Sequence, residues 1–330
     1  MRTYMIRRLL LMIPTVFVVT FIVFVLMRLV PGDVVDIMVS QFAIEGGGDV
    51  EATREALMRE LGMDVSLIHQ YGRWLGIVAQ ADGEFRGVLQ GDLGDSLWRP
   101  NSVLEEIGRR WPVTVELSII GLLVGQCFAF PIATYSAIRQ DSFGDYVVRS
   151  FSILFISIPA FWLATLVIVF PAVWWGFMPP LMYVPLHKDV GRNLAMFIIP
   201  GIVLGLSMSG GSMRFHRTMM LEVLRRDYIR TAWSKGLKEK VVIIRHALKN
   251  ALIPVVTYVG LWMPILVGGT VIIETIFGLP GMGELIVEAT RLRDYPVVSG
   301  TLIIFGCGMV LINLVVDLTY GFLNPQIHYQ

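Results

Sequence analysis

Charged residues and cysteines are scarce in this chain of 330 residues. Asp, Glu, Lys and Arg make up 16% of it, the mean hydropathy is +0.67, and a hydrophobic content of 55% exceeds what a soluble core of this length could bury. The formal net charge of +1 points neither to nucleic acid as a partner nor to a disordered acidic tail. The two cysteines, Cys127 and Cys307, lie in apolar runs, which predicts free thiols. These shortages predict an integral membrane protein.

Residue patterns that common enzyme sites require are also missing. The five histidines are scattered and form no HExxH motif and no Cys/His pairing, which argues against a metal site. None of the lysines follows a glycine, so a P-loop for nucleotide hydrolysis is excluded and any ATPase must be a separate chain. The sequence therefore predicts a non-catalytic protein without a cofactor of its own.

Six apolar stretches have, or nearly have, the roughly 20 residues that a helix needs to cross a hydrocarbon core. They lie near residues 9–30, 112–138, 152–175, 195–213, 251–274 and 298–321. The first is longer than a signal-peptide core and lacks a small-residue cleavage site, which indicates an uncleaved span. Too little polar helix remains to surround six such helices in water. The predicted fold class is therefore an all-α integral membrane protein with six transmembrane helices.

The distribution of Lys and Arg predicts the orientation of these spans. Residues 31–110 hold 14 Asp or Glu against 7 Arg, whereas residues 214–249 hold 10 Lys or Arg against 3 acidic residues. By the positive-inside rule the first segment is outside and the second is cytoplasmic. With Arg2, Arg7 and Arg8 also inside and an even number of spans, both termini are expected in the cytoplasm.

This topology predicts a multi-pass protein of the cell membrane, inner or plasma, in four parts. They are a cytoplasmic segment with the first transmembrane helix (1–30), an extracytoplasmic subdomain (31–110), a membrane core that includes a cytoplasmic loop at 214–250 (111–321), and a cytoplasmic tail (322–330).

The outer segment carries helix signals of its own. Asp49 is a candidate N-cap, Ala56, Leu57 and Leu61 repeat at helical spacing, and Gly62 is a stop. We interpret Gly91-Asp92-Leu93-Gly94-Asp95 as a turn between helices and not as a ligand site. The prediction is a small helical insertion between the first two spans.

Two carboxylates inside predicted spans are candidates for a pathway or gate. A carboxylate at bilayer depth costs several kcal/mol unless it faces a cavity or a partner, so Glu116 and Asp317 should face protein or water. The alternative, which we favour, places both near span ends, where Arg109, Arg110 or headgroup water satisfies them.

Small residues late in the fourth span are a second candidate for the pathway. Ser207, Ser209 and Ser212 flank Gly210 and Gly211. Such a patch permits either close helix packing or a polar pore wall, and packing is the commoner explanation.

The segment from Asp227 to Pro254 predicts helix, turn and helix. One helical face of its first part carries the apolar residues Ile229, Ala232, Trp233 and Leu237. Basic residues cover the remainder of that helix, namely Arg226, Arg230, Lys235 and Lys238. Gly236 interrupts it, and a second apolar series leads into the fifth span through Val241, Ile244, Leu248 and Leu252. A basic amphipathic helix either lies on anionic lipid or docks on a partner protein, and the physical chemistry leaves both open.

This segment resembles the EAA loop of ABC importer permeases, in the form of the dipeptide, oligopeptide and nickel branch. The resemblance rests on Asp227-Tyr228-Ile229-Arg230-Thr231-Ala232-Trp233-Ser234-Lys235-Gly236-Leu237 and on Arg245-His246-Ala247-Leu248-Lys249-Asn250-Ala251-Leu252-Ile253-Pro254. It implies that the helix before the glycine docks in a groove of the ATPase subunit with its apolar face buried there. The implied ATPase-coupling residues are Tyr228, Ile229, Arg230, Thr231, Ala232, Trp233, Lys235, Gly236 and Leu237. Arg230-Thr231-Ala232 replaces the namesake Glu-Ala-Ala.

Further motifs extend the resemblance, to B-type permeases, over nearly the whole chain. They are Arg28-Leu29-Val30-Pro31-Gly32-Asp33, Gly91-Asp92-Leu93-Gly94, Glu274-Thr275-Ile276-Phe277-Gly278-Leu279-Pro280-Gly281-Met282-Gly283, Asp294-Tyr295-Pro296 and Asn324-Pro325. The resemblance implies a type I importer fold. It also implies a homologous C-type permease, two cytoplasmic ATP-binding subunits that use ATP and Mg²⁺, and an external solute-binding protein as partners. The implied function is half of the pathway of an ATP-driven importer of di- or oligopeptides, with nickel or oligosaccharide as alternative cargo.

Two other classes compete with the importer. An ion-coupled secondary transporter would place ionisable groups or broken helices at mid-membrane, where charges are nearly absent here. A membrane-embedded hydrolase would need an intramembrane acid, base or metal constellation, and the pattern has none. The sequence therefore favours the importer subunit.

Overall fold

In the computed structural model, the residues that can be described are 2–29, 50–60, 62–178, 180 and 182–323, together with Val35 and Val39. They form helices joined by turns and loops, with one isolated β-bridge between Asp95 and Ser102. Several predicted features lie outside these residues: the N-cap Asp49, Leu61, the motif parts 30–33 and 324–325, and the tail from 324 to 330.

Twelve α-helices occur among the described residues. In chain order they are α1 (Arg2–Leu29), α2 (Val50–Glu60), α3 (Leu67–Leu75), α4 (Val103–Ile138), α5 (Phe143–Ser157), α6 (Ala160–Trp175), α7 (Val190–Leu224), α8 (Asp227–Ser234), α9 (Glu239–Val241), α10 (Lys249–Phe277), α11 (Met282–Leu292) and α12 (Tyr295–Leu323). A π-helical segment, Val242–Leu248, joins α9 to α10.

Membrane-spanning length and apolarity agree with the predicted fold class. Among the described residues, five helices are long and apolar enough to cross a bilayer, or up to seven spans result if each of two bent helix pairs counts as one. The predicted number of six lies within this range. Five of the six predicted stretches coincide with α1, α4, α7, α10 and α12. The all-α membrane fold is confirmed.

The third predicted span, residues 152–175, is not one helix. Helix α5 ends at Ser157, α6 begins at Ala160, and their axes differ by 94°. Pro159 explains the break, because proline has no backbone N–H to donate and disfavours helical geometry at the residue before it. Within the predicted span, the longest continuous helix is therefore α6, with 16 residues.

Two compact units make up the chain. The first comprises residues 1–11, 110–284 and 308–330, and the second comprises residues 12–109 and 285–307. In the first unit α7 makes its most extensive contacts with α5 and α10. Its crossing with α4 is especially close, because a Cβ added to Gly205 would lie 2.7 Å from the carbonyl oxygen of Gly121.

The second unit contains most of α1 together with α2 and α3. The helix predicted in the outer segment is confirmed as α2, and Gly62 beyond it has a left-handed φ of +63°. The turn predicted around Leu93 is also confirmed, since Gly91 and Gly94 have φ of +80° and +82° and Leu93 is buried between them. Only glycine adopts this left-handed backbone without a steric penalty.

Candidate functional site

Helix α8 and Gly236 form the candidate coupling segment. The helix ends at Ser234, and Gly236 follows with a left-handed φ of +74° and an N–H that donates to the Trp233 carbonyl at 2.9 Å. Apart from its two chain neighbours, no heavy atom of the described residues lies within 4 Å of where a Cβ on Gly236 would be. Glycine is required here by backbone conformation and not by lack of space. The predicted succession of helix, turn and helix is present.

The apolar face of α8 is directed into its own chain at two positions. Ile229 and Ala232 are 0% and 7% exposed and belong to a hydrophobic cluster of the first unit. The other buried members of this cluster are Ala137, Met220, Val242, Ala247 and Ala251. The expectation that the whole apolar face is buried in a partner is therefore wrong for Ile229 and Ala232, whose contacts are intramolecular.

The other implied coupling residues are exposed and form what we call the outward face of α8. It consists of Tyr228, Arg230, Thr231, Trp233, Lys235, Gly236 and Leu237. Trp233 and Tyr228 are 44% and 43% exposed. The Tyr228 hydroxyl accepts a hydrogen bond from the Asn250 amide of α10 at 3.1 Å, which orients the ring. Exposed aromatic rings among cations are the composition of a protein-binding surface.

The second apolar series does not form a single buried face, although its member Leu248 packs against the cluster. Val241 and Ile244 are exposed, whereas Val242, Ala247 and Ala251 are fully buried. The π-helical segment Val242–Leu248 is the reason, because its i→i+5 hydrogen bonds insert one extra residue and rotate the residues on one side relative to the other.

A buried ion pair lies near this cluster. The Arg217 Nη2 and Nε atoms donate to the two carboxylate oxygens of Asp145 at 2.7 and 2.9 Å, and Ser136 also donates to Asp145. Asp145 is fully buried, and Arg217 lies three residues before the cluster member Met220 on α7. The pair connects α4, α5 and α7. Sequence reasoning missed it, and the available signal was an Asp in the first helical turn after the N-cap Ser142.

The candidate pathway carboxylates have other partners than expected. The arginines expected near Glu116 pair with other acids: Arg109 with Glu105 at 2.5 Å and Arg110 with Glu284 at 3.2 Å. One oxygen of the half-buried Glu116 has no hydrogen-bond partner among the described residues. The side chain of Asn193, a fully buried residue of α7, lies close to this carboxylate.

Asp317 forms an ion pair with Arg8. This partner is a cation in the second turn of α1, within the same unit, and not the expected Arg109 or Arg110.

The small-residue patch of α7 is closely packed. Ser209 and Ser212 are buried, and the hydroxyls of Ser207 and Ser209 donate to α7 carbonyls at 2.9 and 2.8 Å. A Cβ on Gly210 would lie 2.6 Å from a carbonyl oxygen of α5, and one on Gly211 would lie 2.7 Å from a tyrosine hydroxyl of α10. These contacts are those of helix packing.

The glycine-rich motif after α10 surrounds a buried carboxylate that sequence reasoning did not single out. Glu274 is 0% exposed and accepts hydrogen bonds from Thr114 Oγ1 at 2.7 Å and from the backbone N–H groups of Gly283 and Glu284 at 2.7 and 3.3 Å. The Thr114 hydroxyl accepts in turn from the N–H of Met282 at 2.8 Å. Glu274 thus satisfies N–H groups at the start of α11 that have no intrahelical partner.

A second polar network organises the other unit. Arg99 donates to Glu106 at 2.8 Å and to Glu288 at 2.5 Å, and these hydrogen bonds raise the pKa of the Arg99 guanidinium above its usual value. Ser96 donates to the buried Asp294 at 2.5 Å. Asp294 begins one of the motifs on which the resemblance rests, and its position explains why an acid is required there.

Potential metal ligands do not converge in the part of the chain that the structure describes, where no three His, Cys, Asp or Glu side chains form a group. Cys127 and Cys307 are free thiols, exposed and half-buried respectively.

Comparison with protein families yields two matches that together cover most of the chain. Residues 129–329 match the family described as binding-protein-dependent transport system inner membrane component, and residues 1–118 match the N-terminal segment of such membrane components.

Curated relatives are similar over nearly their whole length. A putative peptide transport system permease of Brucella suis is 37% identical over 317 residues, 96% of each chain. A di/tripeptide transport system permease of Pseudomonas aeruginosa is 36% identical and a glutathione transport system permease of Pectobacterium atrosepticum is 34% identical, each covered fully in both chains.

Among solved structures, an amino acid ABC transporter crystallised with histidines is similar in fold. The TM-score is 0.50 at 13% identity, over 65% of this chain and 92% of that one. At this identity the likeness concerns the fold alone.

Proposed function

Since this chain belongs to the family of binding-protein-dependent transport system inner membrane components, we propose that it forms half of the translocation pathway of an ATP-driven importer of peptides. The family and the apolar helices make it a multi-pass permease subunit of a binding-protein-dependent importer. Peptides are the proposed cargo, because the names of three relatives specify peptide, di/tripeptide and glutathione transport.

The proposed partners follow from the importer class. They are a homologous C-type permease, an extracytoplasmic solute-binding protein and two cytoplasmic subunits that hydrolyse ATP with Mg²⁺. In the proposed orientation both termini and the loop 214–250 are cytoplasmic, as the excess of Lys and Arg there favours.

The observation that carries the coupling role is the division of α8 into two faces. Ile229 and Ala232 attach the helix to its own chain, so its backbone is positioned before any partner arrives. Tyr228, Trp233 and Lys235 remain exposed on a short, fixed helix. Pre-positioned aromatic groups lose little conformational entropy on binding, which favours docking to a protein.

The lipid-surface alternative is less well supported by this geometry. A helix that lies on a bilayer inserts its apolar face into the lipid. Here the most apolar positions of α8, Ile229 and Ala232, are already occupied by intramolecular contacts and are not available to acyl chains.

Charge reversal on the outward face tests the docking role. Lys235→Glu should reduce co-purification of the ATP-binding subunits and ATP-dependent uptake of a labelled tripeptide, while the membrane level of the chain is unchanged. Lys188→Glu is the matched control, because Lys188 is also an exposed lysine but lies in the loop between α6 and α7. Equal uptake and equal co-purification for the two variants would contradict the docking assignment.

The cargo is tested on the solute-binding protein encoded beside the gene. Ligand that binds the folded state raises its melting temperature by mass action. We expect di- and oligopeptides to raise it, and nickel or oligosaccharides to leave it unchanged. A melting temperature that responds to nickel or oligosaccharide but not to peptides would reassign the cargo within the importer class.

A further inference from the structure

A cavity of about 290 Å³ lies within the second unit, at the C-terminal end of α1. Arginines dominate its charged lining: Arg28, Arg59, Arg73 and Arg86 contribute to the wall, and Asp92 is the one acidic residue among its described lining residues. Four guanidinium groups around one small volume attract an anion.

The four arginines differ in their existing partners. Arg59 pairs with Glu55 at 3.4 Å, and Arg86 pairs with Asp82 and Glu84. Arg28 and Arg73 pair with no acidic residue within the described ranges, and these two arginines are the candidates for binding an external anion.

The partners of Arg28 and Arg73 are neutral or missing. Among the described residues, Arg28 donates to the amide oxygen of Gln70 at 3.0 and 2.5 Å, and its guanidinium lies 5.0 Å from the ring centroid of Phe24. The Nε atom of Arg73 is shielded from solvent and has no hydrogen-bond partner in the described part of the chain. A shielded donor on a cation is costly to leave unpaired.

Aromatic packing holds the wall of the cavity in place. The ring of Phe24 packs against Tyr71 and Trp74 with centroid distances of 5.1 and 5.8 Å. Phe24 and Trp74 line the cavity, and Tyr71 is held by a hydrogen bond with Thr20 at 3.0 Å. This packing fixes α1 against α3, the two helices that carry Arg28 and Arg73.

The flank of α1 that leads to the cavity is apolar and exposed. Ile13, Phe17 and Phe21 are 58%, 42% and 54% exposed and recur every four residues, on the side of the helix that carries the cavity residues Phe24 and Arg28. In a membrane this flank faces acyl chains, and the cavity lies where the apolar run of α1 ends, at the level of lipid headgroups.

We propose that the cavity binds the phosphate group of an anionic phospholipid whose acyl chains lie along the exposed flank of α1. Arg28 and Arg73 supply forked N–H donors that match phosphate oxygens. The apolar flank favours a lipid over free phosphate, because only the lipid also gains from contact with Phe17 and Phe21. Nothing in this assignment depends on the transported solute.

Lipid titration of the purified full-length chain in detergent tests the proposal. Binding is followed by native mass spectrometry with phosphatidylglycerol, phosphatidylcholine and inorganic phosphate as separate probes. The wild type should bind phosphatidylglycerol at least about tenfold more tightly than phosphatidylcholine, and Arg73→Gln should lose about tenfold in affinity for phosphatidylglycerol, the size expected for one charge-assisted hydrogen bond.

Matched variants separate binding from folding. Arg109→Gln removes an exposed arginine of the same unit that does not line the cavity and should leave lipid binding unchanged. Arg73→Lys keeps the charge and should retain part of the affinity. If Arg73→Gln lowers the lipid-free melting temperature, Arg28→Gln takes its place in the comparison.

Three outcomes would overturn the proposal. The first is undiminished phosphatidylglycerol binding by both Arg73→Gln and Arg28→Gln. The second is equal affinity of the wild type for phosphatidylglycerol and phosphatidylcholine. The third is an Arg73-dependent binding of inorganic phosphate as tight as that of the lipid, which would make the site one for a free anion.

Discussion

Two glycine-containing breaks between helices of the first unit, at Gly236 and at residues 278–283, differ in what they require of glycine. At Gly236 the backbone is left-handed, with φ of +74°, and the space around it is empty. At Gly281 and Gly283 the backbone is ordinary, but an added Cβ would lie 2.3 Å from Glu274 and 2.4 Å from the Cα of Val271. The first break is set by backbone conformation alone, whereas the second combines a left-handed Gly278, with φ of +63°, with close packing at Gly281 and Gly283.

The break at Gly236, which we call the open break, lies beside an accessible surface. The break at Gly281 and Gly283, which we call the closed break, is packed inside the chain and has a structural role. The open break leaves the outward face of α8 accessible, so a partner can bind there without rearranging the chain. The closed break surrounds Glu274, whose carboxylate connects α10 to α4 and to the start of α11. Substitutions in these two segments should therefore fail in different assays, and the following predictions run from the largest expected effect to the smallest.

Ala232→Asp should give the largest effect, and it should act on the chain itself. The new carboxylate would enter the cluster around Met220 and Val242 without a cation to pair with, which costs about 3–5 kcal/mol. We expect a lower melting temperature of the purified chain in detergent before any ATPase is added. Thr231→Asp, at the exposed neighbouring position, is the control and should melt like the wild type. Equal melting temperatures for the two variants would indicate that Ala232 contacts the partner and not its own chain.

Gly283→Ala should lower the free energy of unfolding of the chain, because the backbone at Val271 must move to accept the methyl group. Overpacking costs about 1–3 kcal/mol, and we expect a value in the upper part of this range. Gly268→Ala is the matched control, since Gly268 is an exposed helical glycine of α10 and, beyond its neighbours and its own helix backbone, no atom of the described residues lies within 4 Å of the added carbon. The measurement is the melting temperature in detergent. If Gly283→Ala melts no lower than Gly268→Ala, the steric account of this break is wrong.

Glu274→Gln should cost about 1–3 kcal/mol, because it leaves buried N–H donors facing an amide. Thr114→Val should cost a similar amount, and the double variant should cost less than the sum, since the two side chains share one hydrogen bond. Thr275→Val is the control, as the exposed Thr275 hydroxyl bonds only to the backbone of its own helix. Strictly additive losses in the free energy of unfolding would show that Glu274 and Thr114 act independently.

Gly236→Val should have the smallest effect on stability, about 1–2 kcal/mol for a branched residue in left-handed backbone. Gly236→Asn should cost less, because Asn tolerates this conformation and the surrounding space is open to both side chains. We expect the valine variant to assemble but to lose the stimulation of ATP hydrolysis by loaded binding protein. Wild-type stimulation in the valine variant would exclude a conformational role for this glycine.

Much of the fold could be predicted because its signals are local. The length of an apolar run determines whether a helix can cross the bilayer, and α1, α4, α7, α10 and α12 follow that rule. The helix before Gly236 and the turn at Gly91 and Gly94 were predictable for the same reason, since glycine is the residue that tolerates positive φ.

The candidate site was predicted less completely, because pairing depends on distant residues. Glu116 and Asp317 were expected near Arg109 or Arg110, but those arginines are held by Glu105 and Glu284. Several acidic residues lie close in sequence to a given arginine. Only the packing of the helices decides which of them forms the ion pair. The buried pair of Asp145 and Arg217 was missed for this reason, as the two residues are 72 positions apart.

By itself, the sequence determined that the chain is a membrane protein, where most of its helices run, and that Gly236 separates a basic helix from the one that follows. These properties depend on apolar length and backbone preference, which each segment carries alone. Only the tertiary structure decided which side of α8 is free. Ile229 and Ala232 are apolar like Trp233, but they are buried because Met220 and Ala247 come from other helical segments to meet them, and a π-helical register shift of one residue determines which side chains do so.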